Sequence, residues 1–127
     1  MRITALYAGL LALLFVLLSV QVIALRRSGK VALGDGGNAL LARRIRVHGN
    51  FAEFAPLGLI LVGLSESLIA PPLLVHALGL ALLVGRMSHA WGMSQPHEVL
   101  AFRSVGMMLT FGMLLVGAGT CLALALR

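Results

Sequence analysis

The sequence predicts an all-α integral membrane protein, a four-transmembrane-helix bundle, on three observations. Of its 127 residues 60% are hydrophobic and 11% charged, with a mean hydropathy of +1.02, whereas soluble domains carry about 25% charged residues. Four apolar stretches, residues 3–25, 40–70, 72–93 and 99–126, reach the about 20 residues a helix needs to cross a hydrocarbon core of about 30 Å. Lipid obliges each span to satisfy its own backbone hydrogen bonds, which a helix does; the alternating ten-residue pattern of a closed barrel is missing. Residues 1–127 are expected to form one such domain.

A net charge of +6 and a pI near 11.5 would suit nucleic acid, but the placement of the charges argues against it. Six of the ten basic residues (Arg26, Arg27, Lys30, Arg43, Arg44 and Arg46) lie in or beside the first loop. Arg86 and Arg103 flank the third connection, and only Arg2 and Arg127 fall on the other side. By the positive-inside rule the first and third connections are cytoplasmic and both termini periplasmic, in a bacterial inner membrane. The basic excess is a topology signal that also attracts anionic headgroups. Membrane lipids are therefore expected partners and nucleic acid is not. The single cysteine, Cys121, excludes an intrachain disulfide and reads as a small packing residue.

In chain order, the first apolar run is too long for a signal-peptide core and lacks a clear cleavage site, so it reads as a retained helix. Its Thr4, Tyr7, Ser19 and Gln21 suit interfacial anchoring or helix-to-helix hydrogen bonds. The first loop, residues 26–38, ends in Gly34, Asp35, Gly36, Gly37 and Asn38, a turn signal with Asp35 or Asn38 near the next N-cap. It carries no phosphate-cradling G-x-x-x-x-G-K-[ST]. The second helix tolerates Pro56, which can kink it. Ser65, Glu66 and Ser67 mark the far interface, and Pro71 and Pro72 make a turn too short for a further domain. Helix three follows with His76 near its far end. The third connection, residues 94–98, contains Pro96. Gly106, Gly112, Gly117 and Gly119 of helix four suit close helix packing. Met107, Met108 and Met113 read as packing, so no metal site is expected.

The chemistry-bearing residues sit inside these spans. Arg46, Asn50 and Glu53 stand at i, i+4 and i+7 and share one face of the second helix. Ionisable groups within a membrane span point into the protein and mark functional sites by default; a structural ion-pair network is the competing reading. Arg86 and His89 stand at i and i+3 near the cytoplasmic exit of helix three, and Arg103 and Ser104 about one turn inside helix four. All seven occupy the same half of the membrane and can meet. Three cations and one carboxylate favour an anionic ligand that also carries an amine or other donor for Glu53, since arginine binds carboxylate bidentately. A site bordered by lipid would take a polar ligand from the cytoplasm and an apolar one from the bilayer.

The run Arg46-Val-His-Gly-Asn50-Phe-Ala-Glu53-Phe-Ala-Pro56, followed by Arg86-Met-Ser-His89 and Arg103-Ser104-Val, resembles the family of membrane-associated proteins in eicosanoid and glutathione metabolism (MAPEG). Within it, R-x-H-x-N-x-x-E, then R-x-x-H, then R-S-V is most similar to the microsomal prostaglandin E synthase branch. The resemblance covers essentially the whole chain. It implies a homotrimer of four-helix subunits with glutathione, the cosubstrate, bound between neighbours near the cytoplasmic side. By that similarity Arg46, Asn50 and Glu53 would hold the tripeptide, Arg86 and His89 would contact it from helix three, and Arg103 would stabilise the thiolate beside Ser104. A thiol titrates near 8.5 and an adjacent cation lowers that value, which makes the nucleophile available at neutral pH.

Three positions depart from the family pattern. Phe54 and Met93 stand where many members have aromatic hydroxyls, and Gly49 where the prostaglandin synthase has a basic residue. Two functions therefore remain open. One is a glutathione-dependent transferase or peroxidase acting on a lipophilic electrophile or hydroperoxide, favoured by Arg103 and Ser104. The other is a non-catalytic protein binding a lipid or fatty acid in an interhelix cleft, favoured by Phe54 and Met93. A small transporter is disfavoured because no internal repeat is visible.

Overall fold

The computed structural model describes residues 1–95, 97 and 99–126. They form four helices, α1 (Arg2–Gly29), α2 (Ala39–Ser67), α3 (Pro72–Ser94) and α4 (Leu100–Ala125). All four are long and apolar enough to cross a membrane.

Local chemistry sets the helix ends. α1 runs four residues past the expected Leu25 and stops where Lys30 turns left-handed, at φ 52°, its amide donating to the carbonyls of Arg26 and Arg27. Those two arginines sit in the last turn, where the helix dipole favours cations. In the loop, Asp35 Oδ1 accepts from the Gly37 amide at 2.9 Å, while Gly34, Gly36 and Gly37 take positive φ. Asn38 is the N-cap of α2, its Oδ1 accepting from the amides of Leu40 and Leu41 at 3.0 Å, the arrangement that satisfies otherwise orphaned donors. α2 passes through Pro56 without interruption. It ends at Ser67, three residues before the expected Ala70, because Ile69 adopts φ 61° and the Ala70 amide bonds back to the Ser65 carbonyl. Pro72 then opens α3 at a position where a missing N–H costs nothing. The turn expected at Pro96 and the terminal Arg127 lie outside the described residues.

α2 and α3 form the centre of the bundle. α1 and α4 each pack against both, and among the described residues α1 and α4 do not touch. The core joins Leu11 and Leu18 of α1, Val47, Phe51 and Val62 of α2, Val75 and Leu82 of α3 and Met113 of α4. α3 and α4 approach closely at Gly106, where an added Cβ would fall 2.5 Å from the His89 amide nitrogen and 2.6 Å from the Gly85 carbonyl oxygen. Small residues permit such contacts where lipid supplies no hydrophobic drive between helices. Gly117 likewise faces α2 at Leu61, but nothing lies within 4 Å of where a Cβ would be at Gly112 or Gly119. Those two glycines therefore have no packing role within one chain.

Four polar residues of α1 form a seam. Thr4 Oγ1 donates to Glu66 Oε2 at 2.6 Å, Tyr7 Oη lies 3.3 Å from His76 Nδ1, Ser19 Oγ lies 3.0 Å from His48 Nε2, and Gln21 Oε1 accepts from Arg44 at 2.9 Å. Hydrogen bonds across helices thus fix α1 along its length, which apolar contact in lipid would not do alone.

Candidate functional site

α2 and α4 run parallel. Phe54 meets Phe111 edge-on at 5.6 Å between ring centroids, Leu61 lies against Gly117, and Ser65 Oγ is 3.5 Å from Cys121 Sγ. Continued toward the basic end, that register sets Asn50 level with Met107 and Arg46 level with Arg103. α3 runs antiparallel between them and brings Arg86 to the height of Asn50.

Arg86 is enclosed at 1% exposure. Its Nη1 donates to Asn50 Oδ1 at 2.7 Å. Nε and Nη2 both donate to Thr110 Oγ1, at 3.1 and 2.6 Å. Nη2 also reaches the Gly106 carbonyl at 3.5 Å and Met107 Sδ at 3.4 Å. The guanidinium carbon stands 5.3 Å from the centre of the Phe54 ring, within cation–π range. Among the described residues no carboxylate pairs with it. The cation is instead surrounded by neutral acceptors from α2 and α4, and it ties three helices together at one height. Its side chain points into the bundle and fixes the amide of Asn50 by holding its carbonyl oxygen.

His89, one turn further along α3, is buried at 3% exposure with its backbone against Gly106. Arg46 and Glu53 lie on the outer face of α2 and meet at 3.5 Å between Nη1 and Oε1, with side chains 64% and 53% exposed. Glu53 is the midpoint of α2. Arg103 and Ser104, on the first turn of α4, are also exposed. The seven expected site residues therefore divide. Arg86 and His89 are interior, Arg46, Glu53, Arg103 and Ser104 are open on the chain's surface, and Asn50, half-buried, joins the two sets.

The departing positions find structural explanations. Phe54 is half-buried and packed between Arg86 and Phe111, so its ring serves the bundle interior. Met93 packs against the core. Gly49 faces open space, with nothing within 4 Å of a built Cβ. Sequence reasoning did not single out Thr110, which is fully buried and bonds Arg86 twice. Its available signal was a hydroxyl one turn after Gly106, flanked by apolar residues, and it also bonds the Gly106 carbonyl at 2.8 Å. His48, on the α1 side of α2, stacks on Phe15 at 4.7 Å and was likewise given no role. Among the described residues no three His, Cys, Asp or Glu side chains converge as metal ligands would.

An apolar groove of about 610 Å³ runs outside, between α3 and α4, lined by Met87, Ser88, Trp91, Phe102 and Val105 among others. The expected polar residues do not line it.

The family model described as the MAPEG family matches residues 4–123. The Inner membrane protein YecN of Escherichia coli strain K12 is 40% identical over 114 residues, which is 90% of this chain and 86% of that protein. The YecN of Escherichia coli O6:H1 strain CFT073 matches with the same figures. With the four-helix membrane architecture and a match across nearly its whole length, this chain belongs to the MAPEG family.

Proposed function

We propose that the protein is a glutathione-dependent membrane transferase or peroxidase, working as a homotrimer on lipophilic electrophiles or hydroperoxides. The observation that carries this reading is the open Arg46–Glu53 pair at the middle of α2. Charged groups facing hydrocarbon cost several kcal/mol, so this face meets either another copy of the chain or a polar ligand. A trimer with glutathione between neighbours supplies both. The motifs resemble those of the prostaglandin synthase branch, but an eicosanoid substrate does not follow from a shared fold.

In this reading binding proceeds by exchange of partners. The ammonium of the tripeptide replaces Arg46 at Glu53, and Arg46 then takes a ligand carboxylate through its planar donors. Asn50, its carbonyl oxygen held by Arg86 at 2.7 Å, presents its amide NH₂ to the ligand. Arg103 stabilises the thiolate and Ser104 donates to it. The sulfur then attacks an electrophilic carbon, and the electron pair of the broken bond leaves with the departing group. With a hydroperoxide it attacks the O–O bond, giving an alcohol and a glutathione sulfenic acid that a second glutathione resolves to the disulfide, with loss of water. In this reading the basic end of the bundle faces the cytoplasm of a bacterial cell and both termini are periplasmic, and the relatives' printed name, an inner membrane protein, supports that membrane for this chain.

A lipid- or fatty-acid-binding protein without catalysis is the second reading, favoured by Phe54 packed inward in place of a hydroxyl and by the apolar α3–α4 groove. Calorimetric titration of glutathione into the detergent-solubilised protein separates the two. Saturable binding weakened by Arg103→Ala supports the transferase, and no binding to a folded oligomer overturns it. A native mass spectrum in mild detergent showing only monomers or dimers would remove the trimer. A C-terminal reporter found in the cytoplasm would reverse the orientation.

A further inference from the structure

The basic run at the start of α2 is divided by the helix. Residues two apart point about 200° from each other, so Arg44 and Arg46 face opposite ways. Arg46 joins Glu53 on the outer face. Arg43 donates to the Gln95 carbonyl at 2.5 Å, tying the start of α2 to the C-cap of α3. Arg44 turns to a groove of about 590 Å³ between α1, α2 and α3. Its polar lining comes from the basic ends of three helices: Gln21 of α1, Arg44 of α2, and Ser94 of α3 with the Gln95 that follows it. Deeper in, Leu14, Leu17 and Leu18 of α1 continue it as an apolar floor. From Gln21 at the mouth to Leu14 the groove descends about 10 Å into the membrane. Trp91 stands at the same side of the groove, an amphipathic ring of the kind that settles at headgroup level.

We propose that this groove is a binding site for an anionic phospholipid of the leaflet at the basic end, with the headgroup phosphate on Arg44 and one acyl chain along Leu14, Leu17 and Leu18. Charge complementarity and the division into polar mouth and apolar floor select this occupant. The Gln21 bond at 2.9 Å uses one of the five N–H donors of the Arg44 guanidinium and aims its plane, and a phosphate is matched by the rest of the fork. The Gln21 amide and the Ser94 hydroxyl add neutral donors to the mouth. No carboxylate lines the groove among the described residues. The site is independent of the glutathione reading, since it lies on the opposite side of α2 from Glu53.

The test is native mass spectrometry of delipidated protein titrated with phosphatidylglycerol or phosphatidylcholine of matched chains. Wild type should retain the anionic lipid about fivefold or more over the zwitterionic one, the worth of one arginine beside an anionic headgroup. Arg44→Gln should abolish that preference, and Arg27→Gln, which changes the same net charge outside the groove, should preserve it. Leu17→Trp, at an exposed position that fills the floor, should reduce retention of both lipids while leaving the charge unchanged. Equal retention of the two lipids by wild type, a preference surviving Arg44→Gln, or one lost equally in Arg27→Gln would each overturn the site. Displacement of the lipid by glycerol phosphate alone would show a soluble-anion site and overturn the assignment to a lipid.

Discussion

Glu66 and Glu53 occupy the same helix and meet opposite surroundings. Glu66 is 16% exposed and closes on the start of α1. Its oxygens accept from the Ile3 amide at 3.1 Å, the Thr4 amide at 2.8 Å and the Thr4 hydroxyl at 2.6 Å, with the Met1 amine 3.7 Å away. Met1 offers α1 no side-chain cap, so a carboxylate from another helix takes that part, at the helix end where the dipole favours an anion. Glu53 is 53% exposed, and among the described residues its one ion-pair partner is Arg46, 3.5 Å away. One carboxylate completes the fold of a single chain, and the other lies on its surface. Burial likewise separates the enclosed Arg86 from the surface-exposed Arg103, and the contrast can be probed in order of expected effect.

Replacing Arg86 with methionine should give the largest loss. It strips partners from Asn50 and from the fully buried Thr110 and unties α2, α3 and α4 at one height. Interhelix hydrogen bonds in membranes average about 0.6 kcal/mol and reach about 1.7, so the several bonds to Arg86 put the loss on the order of 2–3 kcal/mol, read as a lower midpoint of thermal unfolding in detergent. Unchanged stability would mean that the guanidinium does not hold the helices together.

Glu53→Gln should do the reverse. Its stability should stay within about 0.5 kcal/mol of wild type, as for exposed positions generally. Glutathione affinity should fall about tenfold or more, because the ligand's ammonium loses its counter-charge. Titration calorimetry and thermal unfolding on the same sample measure both. Glu66→Gln sharpens the contrast from the other side. Its amide would turn a donor toward the donors of Ile3 and Thr4, so exchange of those two amides with solvent should quicken while glutathione binding stays as in wild type. If Glu66→Gln weakened glutathione as much as Glu53→Gln, the division between the two carboxylates would be lost.

How much of this was legible in the sequence follows from how far apart the interacting residues lie. The four helices and the Asn38 cap depend on run length and on neighbours two or three residues away, and both were readable. That Arg46, Asn50 and Glu53 share a face was also readable from spacing. What spacing does not contain is the neighbour. Asn50 is rotated about 40° from Arg46, and that small turn brings it to Arg86, 36 residues away, while Arg46 faces outward. The bonds of Arg86 to Thr110 were not readable either, because Thr110 reads as ordinary packing until α3 and α4 are brought together at Gly106. The α1 residues Thr4, Tyr7, Ser19 and Gln21 were expected either to anchor at an interface or to bond between helices. Only the packed bundle shows that each bonds to α2 or α3. α2 stopped short of expectation because apolar Leu68 and Ile69 resemble a span by composition, whereas the positive φ of Ile69 is imposed by the turn into Pro71.

The smallest expected effect tests the same division between enclosed and open positions on one helix without charge. Gly106 and Gly119 both belong to α4. At Gly106 an added methyl would meet backbone atoms of α3, which have no room to give. At Gly119 it would meet nothing within 4 Å. Glycine inside a helix costs about 0.5–1 kcal/mol relative to alanine through the freedom of the unfolded chain. Gly119→Ala should therefore raise stability by about that amount, and Gly106→Ala should lower it, both read by thermal unfolding in detergent. A loss of stability in Gly119→Ala would place that part of α4 against another copy of the chain, because only a surface outside the single bundle is left to clash with it.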